Sequence, residues 1–284
     1  MKKLLAVFLI LNSCYSLFAQ SKDTSVYQLP YDKTVFVTTH NSYNHSPFHL
    51  FPNQCFSVKK QLNDGVRSFM LDIYLHKGKV EMYHVYRVLG HSTLLKTLFT
   101  IRKFLESHPT EVLTILFECY VPFEKVEPEF EKAGLMKFVH SQPKGKPWPT
   151  VKEMIASGKR LVVFSSCMDF IPDNWYHYEF DYVSETPYAN HKISDFDFCI
   201  DRGYKTNTLF VLNNFLYGFK GTGSFRKAKK ANNFRFLLDR GKRFMVETGK
   251  IPNFLTVDFY NRGNVFKVAD SLNKIILKEY LKTR

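Results

Sequence analysis

Val112-Leu-Thr-Ile-Leu-Phe-Glu118 runs almost wholly apolar until its last residue. A strand with one face in water alternates apolar and polar side chains; an unbroken run belongs to a strand covered on both faces, as in parallel sheets. Upstream, Leu94, Leu95, Leu98, Ile101, Phe104 and Leu105 recur at helical spacing, and His108-Pro109 closes that segment. The same alternation spreads along the chain. Val35–Thr39, Phe69–Tyr74, Val80–His84, Arg160–Phe164, Thr208–Leu212 and Phe254–Phe259 read as strands, with Tyr182-Val183 as a weaker one. Phe225–Arg240 and Phe266–Leu281 read as helices. Strand–helix alternation predicts a parallel sheet, and seven or eight such units over this length predict an α/β, TIM-type (β/α)8 barrel, regular or incomplete, in one domain. The amphipathic helix at the end is expected to close the barrel.

The first residues have the layout of an export leader: Lys2 and Lys3, an apolar run from Leu4 to Leu11, then small and polar residues up to Ala19. Residues 1–19 are therefore read as a signal peptide and 20–284 as the barrel. Leu11-Asn-Ser-Cys14 offers a second possibility, lipoprotein anchoring at Cys14, against which Asn12 argues. The expected location is secreted, periplasmic or cell-surface. Net charge is +14, falling by two to +12 without Lys2 and Lys3. A basic exported chain is drawn to anionic surfaces. Cys55, Cys119, Cys167 and Cys199 form no CxxC pair, which excludes the usual zinc spacings and leaves one or two disulfides open after export.

Polar residues collect where the strands end. His40 and Asn41 follow the first strand, Asp72 lies on the second, His84 ends the third, Glu118 the fourth, and Asp258 lies on the last. In such barrels the carboxyl ends of the strands converge on one mouth, so these six residues are expected to share a site. Imidazoles exchange protons near neutral pH, which makes His40 and His84 candidates for acid–base work.

Thr39-His-Asn-Ser-Tyr43, Gln61-Leu-Asn-Asp-Gly-Val-Arg67, Met70-Leu-Asp-Ile-Tyr74, Tyr83-His84, His108-Pro-Thr-Glu-Val112, Thr114-Ile-Leu-Phe-Glu118 and Val257-Asp-Phe-Tyr260 resemble the X-domain of phosphatidylinositol-specific phospholipases C. The match is nearest to the exported phosphodiesterase-like branch and covers nearly all of the chain after the leader. The resemblance implies cleavage of phosphatidylinositol or a related phosphodiester through a cyclic inositol phosphate. It gives His40 the base role, His84 the acid role, and Asp258 the task of orienting His40. It also implies Ca2+ held by Asn41, Asp72 and Glu118, oxygen donors of the type calcium prefers. Two departures stand out. Tyr74 occupies the position where the metal-free branch carries arginine. Met70 replaces a fourth acidic ligand. The metal-free alternative takes its positive charge from Arg67 or Arg87. The implied partner is an anionic phospholipid surface, with no nucleic acid, no membrane-spanning segment after the leader, and a monomeric chain. A glycerophosphodiester phosphodiesterase would carry His-Arg-Gly and Glu-x-Asp where His40-Asn41-Ser42 and Met70-Leu71-Asp72 stand. A non-catalytic lipid-binding barrel is the reading from another class. Phe48-His-Leu-Phe-Pro52 is expected either to dip into a membrane interface or to pack as a lid; the basic run Arg226–Lys230 is expected to be a solvated helix face.

Overall fold

The computed structural model describes residues 24–167, 175–218 and 222–283. The leader, Cys14 included, lies outside the described residues. Eight parallel strands curl into an incomplete barrel: β1 (Phe36–Thr39), β2 (Ser68–His76), β5 (Leu113–Tyr120), β6 (Leu161–Ser165), β7 (Tyr176–Tyr178), β8 (Val183–Glu185), β9 (Leu209–Asn213) and β10 (Phe254–Val257). Their spatial order is β7-β6-β5-β2-β1-β10-β9-β8. Among the described residues no ladder joins β7 to β8, so the ring is open there. Only a single turn of 3-10 helix, Glu179–Asp181, links these two strands.

The strand expected over Val80–His84 is the clearest departure from the sequence reading. Lys79–Met82 forms β3, which pairs antiparallel with β2 and with β4 (Ser92–Thr93) rather than joining the ring. The cause is local. Lys77 and Gly78 connect the paired residues His76 and Lys79, and both have positive φ, 48° and 76°. Two consecutive left-handed residues make the primed turn that folds a strand straight back on itself. His84 thus rides on an arm outside the ring.

Two cores hold the barrel. Inside it, Phe36, Leu116, Phe164, Val211 and Phe254 pack together, plugged at the amino-terminal end by Tyr31 and Trp148. The buried Tyr31 hydroxyl is satisfied by Thr114 Oγ1 at 2.6 Å. Outside, the opposite faces of the same strands meet the helices: Leu71 and Ile73 of β2 share a cluster with Leu98 and Ile101 of the helix Leu94–Ser107 and with Leu272 of the helix Val265–Lys282. Coverage on both faces explains why β5 reads as continuously apolar. Arg160 clamps the amino-terminal side by donating to the carbonyls of Leu105, His108 and Glu111 at 2.8, 3.0 and 2.9 Å. Arg67 pairs with Glu111 at 2.6 Å. The helix expected over Phe225–Arg240 is two, Phe225–Ala231 and Phe234–Thr248, because the Asn233 side chain accepts from the amides of Arg235 and Phe236 and starts a new helix. Cys55, Cys119, Cys167 and Cys199 form no disulfide among the described residues. No helix among the described residues is long and apolar enough to cross a membrane.

Candidate active site

Strand register builds the site. β2 and β5 run in parallel, with Met70 beside Leu116, Asp72 beside Glu118, and Tyr74 beside Tyr120. Side chains two residues apart share a face, so each strand climbs from an apolar floor through an acid to an aromatic rim. Next to β2 in the ring, Thr39 of β1 pairs with Val257 of β10. The next residues, His40 and Asp258, are therefore neighbours, and Asp258 Oδ1 lies 2.9 Å from His40 Nδ1. A carboxylate at Nδ1 holds that nitrogen protonated and leaves Nε2 free to accept a proton.

Several residues that carried no role in the sequence reading hold this pair. Asn53 Nδ2 donates to Asp258 Oδ1 at 3.1 Å. Gln54 Nε2 donates to the carbonyls of His40 and Val257 at 2.8 and 3.0 Å. Asn232, at the break between the two helices, donates to the Asp258 carbonyl at 2.9 Å. Phe215 stacks on the His40 ring with centroids 3.8 Å apart and planes 9° from parallel. These are loop amides and an aromatic, residue types with no periodic signature.

His84 follows β3 and is half-buried. Its imidazole is pushed down to about 4, first by burial and then by the charge of His40, so the two rings sit within electrostatic reach of each other. The backbone marks the same places. Asn41, Val85 and Phe259, each directly after one of the three candidates, have φ of 46°, 59° and 44°. A β-branched valine in that region is strained, and such strain persists where surrounding structure enforces it.

The mouth is a cleft whose lining includes His40, Asn41, Asp72, Glu118, Glu179, Glu185, Arg202 and Phe215. Arg202 is the cation there. Its Nε lies 2.7 Å from Glu185 Oε1, angled out of hydrogen-bond geometry, and its guanidinium covers the Tyr188 ring at 4.8 Å. Neither Arg67 nor Arg87 lines the cleft: Arg67 serves Glu111, and Arg87 binds Glu81 at 2.5 Å. That corrects the metal-free alternative: among the described residues that line the cleft, its positive charge falls to Arg202.

The oxygen cluster suits a hard cation in its donor chemistry. Asp72 is buried, and desolvation together with the neighbouring Glu118 charge raises it well above the usual carboxylate range. The Asn41 amide faces Asp72. With Nδ2 toward Asp72 it donates to both carboxylate oxygens, at 2.8 and 3.2 Å. No group of three or more His, Cys, Asp or Glu forms a ready-made metal cage among the described residues.

The described chain is thus an incomplete parallel α/β barrel that sets His40, Asp258, Asp72 and Glu118 at the carboxyl-terminal ends of its strands. The profile of the family described as PI-PLC X 1 matches residues 28–273, and the chain belongs to that family. It is 29% identical to a PI-PLC X domain-containing protein of Arabidopsis thaliana, over 91% of this chain and 66% of that one. An uncharacterized secreted protein of Arthroderma benhamiae is 28% identical over 86% of this chain and 62% of its own length. The chain thus spans somewhat under two thirds of these two relatives. PI-PLC X domain-containing protein 1 of the same fungus is 30% identical over 86% and 85%. Among solved structures, the phosphatidylinositol-specific phospholipase C of Listeria monocytogenes superposes with a TM-score of 0.61, covering 87% of this chain and 97% of that one at 16% identity. That of Staphylococcus aureus gives 0.57 at 15% identity. At such identities the likeness concerns the fold.

Proposed function

We propose that the protein is an exported phosphoric diester hydrolase that cleaves phosphatidylinositol or a related phosphodiester lipid in the manner of a phospholipase C. The observation that carries this is the His40–Asp258 pair at 2.9 Å with the second imidazole, His84, in electrostatic reach. His40 Nε2 takes the proton from the hydroxyl next to the phosphate. The freed oxygen forms a bond to phosphorus. The bond from phosphorus to the diacylglycerol oxygen breaks, and that oxygen takes a proton from His84. A cyclic phosphate and a neutral diacylglycerol result. Asp258 supports the imidazolium that forms on His40. Asn41, Asp72 and Glu118 would hold Ca2+, which neutralises charge on the phosphate oxygens when bound.

In the free protein His84 is neutral at pH 7, which the acid role does not allow. A phosphodiester anion between the rings replaces ring–ring repulsion by attraction on both sides and raises His84, so substrate binding itself loads the acid.

The test is product analysis with phosphatidylinositol, with and without a calcium chelator. Cyclic inositol phosphate is expected, and chelation is expected to slow its formation. Replacing His40 or His84 by Ala is expected to lower the rate by about 10²–10⁴-fold. Glycerol phosphate as product would move the protein to the glycerophosphodiesterase class, and binding without turnover would make it a lipid-binding barrel.

A further inference from the structure

Cys119 and Cys167 meet across the ends of two neighbouring strands. β5 and β6 run in parallel, and their last paired residues are Phe117 and Ser165. The contact continues beyond that pair. The Ser166 amide donates to the Phe117 carbonyl at 3.0 Å, and the Ser166 hydroxyl accepts from the Cys119 amide at 2.9 Å. Two residues past the last pair, the same register sets Cys119 opposite Cys167. The Cys167 thiol donates to the Cys119 carbonyl at 2.9 Å, so its sulfur stands against the Cys119 backbone. Adjacent strands lie about 4.8 Å apart, within the roughly 4.4–6.8 Å between Cα atoms that a disulfide spans.

The two side chains also share a face. Ile115, Phe117 and Cys119 of β5, and Val163 of β6 with Cys167 after it, belong to the cluster under the helices. Both thiols border one ring: the Tyr176 hydroxyl lies 3.4 Å from Cys119 Sγ, and the charge of either cysteine acts on it. Glu118 and Ser166, at the alternate positions, line the cleft instead. The other two cysteines have no such neighbour among the described residues: Cys55 stands beside Asn261 and Arg262, and Cys199 beside Asp197.

We propose that Cys119 and Cys167 are a modification site, oxidised by a small-molecule disulfide of the glutathione type to one intrachain disulfide that ties β5 to β6 behind the cleft. Cys167 is half-buried and Cys119 buried, so Cys167 reacts first. Its thiolate bonds to one sulfur of the small disulfide, whose S–S bond breaks and releases one thiol. Cys119 turns from the Val121 carbonyl, to which its thiol donates at 3.0 Å, and as thiolate attacks the Cys167 sulfur. The second small thiol leaves. The two cysteines lose two electrons and two protons, and the small disulfide is reduced to two thiols. Oxidants of this class belong to the compartments an exported chain passes through. The bond lies on the helix side of the sheet. It leaves the cleft open and fixes the strand ends that present Glu118 and Ser166 to it.

The test exposes the whole reduced protein to glutathione disulfide, blocks the remaining thiols by alkylation and maps peptides by mass without reduction. One peptide pair joined at Cys119 and Cys167, two hydrogen atoms lighter than the sum of its parts, is expected. Alkylation of both residues, a lasting mixed disulfide at Cys167, or a bond from either to Cys55 or Cys199 overturns the assignment. Urea unfolding reads the tie itself. The oxidised form is expected to have a midpoint roughly 1 M above the reduced form, because the bond closes a long loop, residues 119–167, in the unfolded chain. Cys167→Ser keeps a donor for the Cys119 carbonyl and is expected to lose that rise, whereas Cys55→Ser is expected to keep it. Equal midpoints for oxidised and reduced wild type, or an undiminished rise in Cys167→Ser, overturn the tie. Neither measurement uses turnover, so the assignment and the phospholipase reading stand or fall separately.

Discussion

Asn53 donates to Asp258, lies 3.4 Å from His40 Nδ1, and accepts from Asn44 at 2.6 Å. It is a positioning residue, and Asn53→Ala is expected to lower kcat about tenfold with little change in KM, because it loosens the carboxylate that orients the base. Steady-state kinetics on wild type and variant check this; a change confined to KM would remove Asn53 from that role. His84 offers a direct reading of the site's electrostatics. Its imidazole, held near 4 by burial and by His40, is expected to titrate at higher pH when a phosphonate diester analogue occupies the cleft. Ring-proton NMR with and without the analogue measures the shift, and an unchanged titration would place the anion away from the rings. At this scale the residues to which the proposed reaction gives roles were legible in the sequence. His40, His84 and Asp258 stood in motifs, whereas Asn53, Gln54 and Asn232 act through single side-chain amides in loops, which leave no pattern to find. Arg202 was equally hidden, since nothing in Asp201-Arg202-Gly203 distinguishes it from a surface arginine.

The two-residue turn at Lys77-Gly78 decides what becomes of the β3 segment. A parallel strand needs a long crossover before it, and two residues cannot supply one. The turn was readable as a signal for a hairpin, yet the apolar content of Val80–Met82 also suits a barrel strand, and that ambiguity produced the wrong assignment. The buried strands β1, β2, β5, β6, β9 and β10 were legible because coverage on both faces leaves long apolar runs. β7, only Tyr176–Tyr178, was not, since three residues carry no period. The arm bearing His84 depends on one glycine. Gly90 has φ 133° and ψ 141°, a conformation nearly closed to other residues, and any Cβ would strike His49. Gly90→Ala is expected to cost roughly 1–3 kcal/mol, read as a lower urea midpoint at unchanged slope. An unchanged midpoint would show that the arm is not fixed there.

Over the molecule as a whole, buried titratable groups oppose one another. His177 is sealed between Val163 and Gln142: its Nδ1 lies 2.9 Å from the Val163 carbonyl oxygen and its Nε2 accepts from the Gln142 amide at 2.9 Å. Both contacts suit the neutral ring, and burial, with a smaller contribution from His140, pushes it down to about 4. A group depressed in this way protonates in the unfolded chain first. Its stabilisation is complete above pH 6.5 and is lost as pH falls toward 4, on the order of 3 kcal/mol. Glu179 works in the opposite sense. Burial and the Glu185 charge raise it, so its contribution is full below the ordinary glutamate range and fades as pH climbs through its raised value. Glu179→Gln removes that counterweight. Its loss of stability between pH 6.5 and 4.5 is expected to be steeper than that of the wild type, measured by urea unfolding at both pH values, and parallel curves would count against the assignment. The opening between β7 and β8 has a mechanical result. At that gap the chain itself spans the ring: Glu179–Asp181 carries it from Tyr178 toward Val183, and Asn207 Nδ2 pins the link by donating to the carbonyls of Phe180 and Val183, each at 3.0 Å.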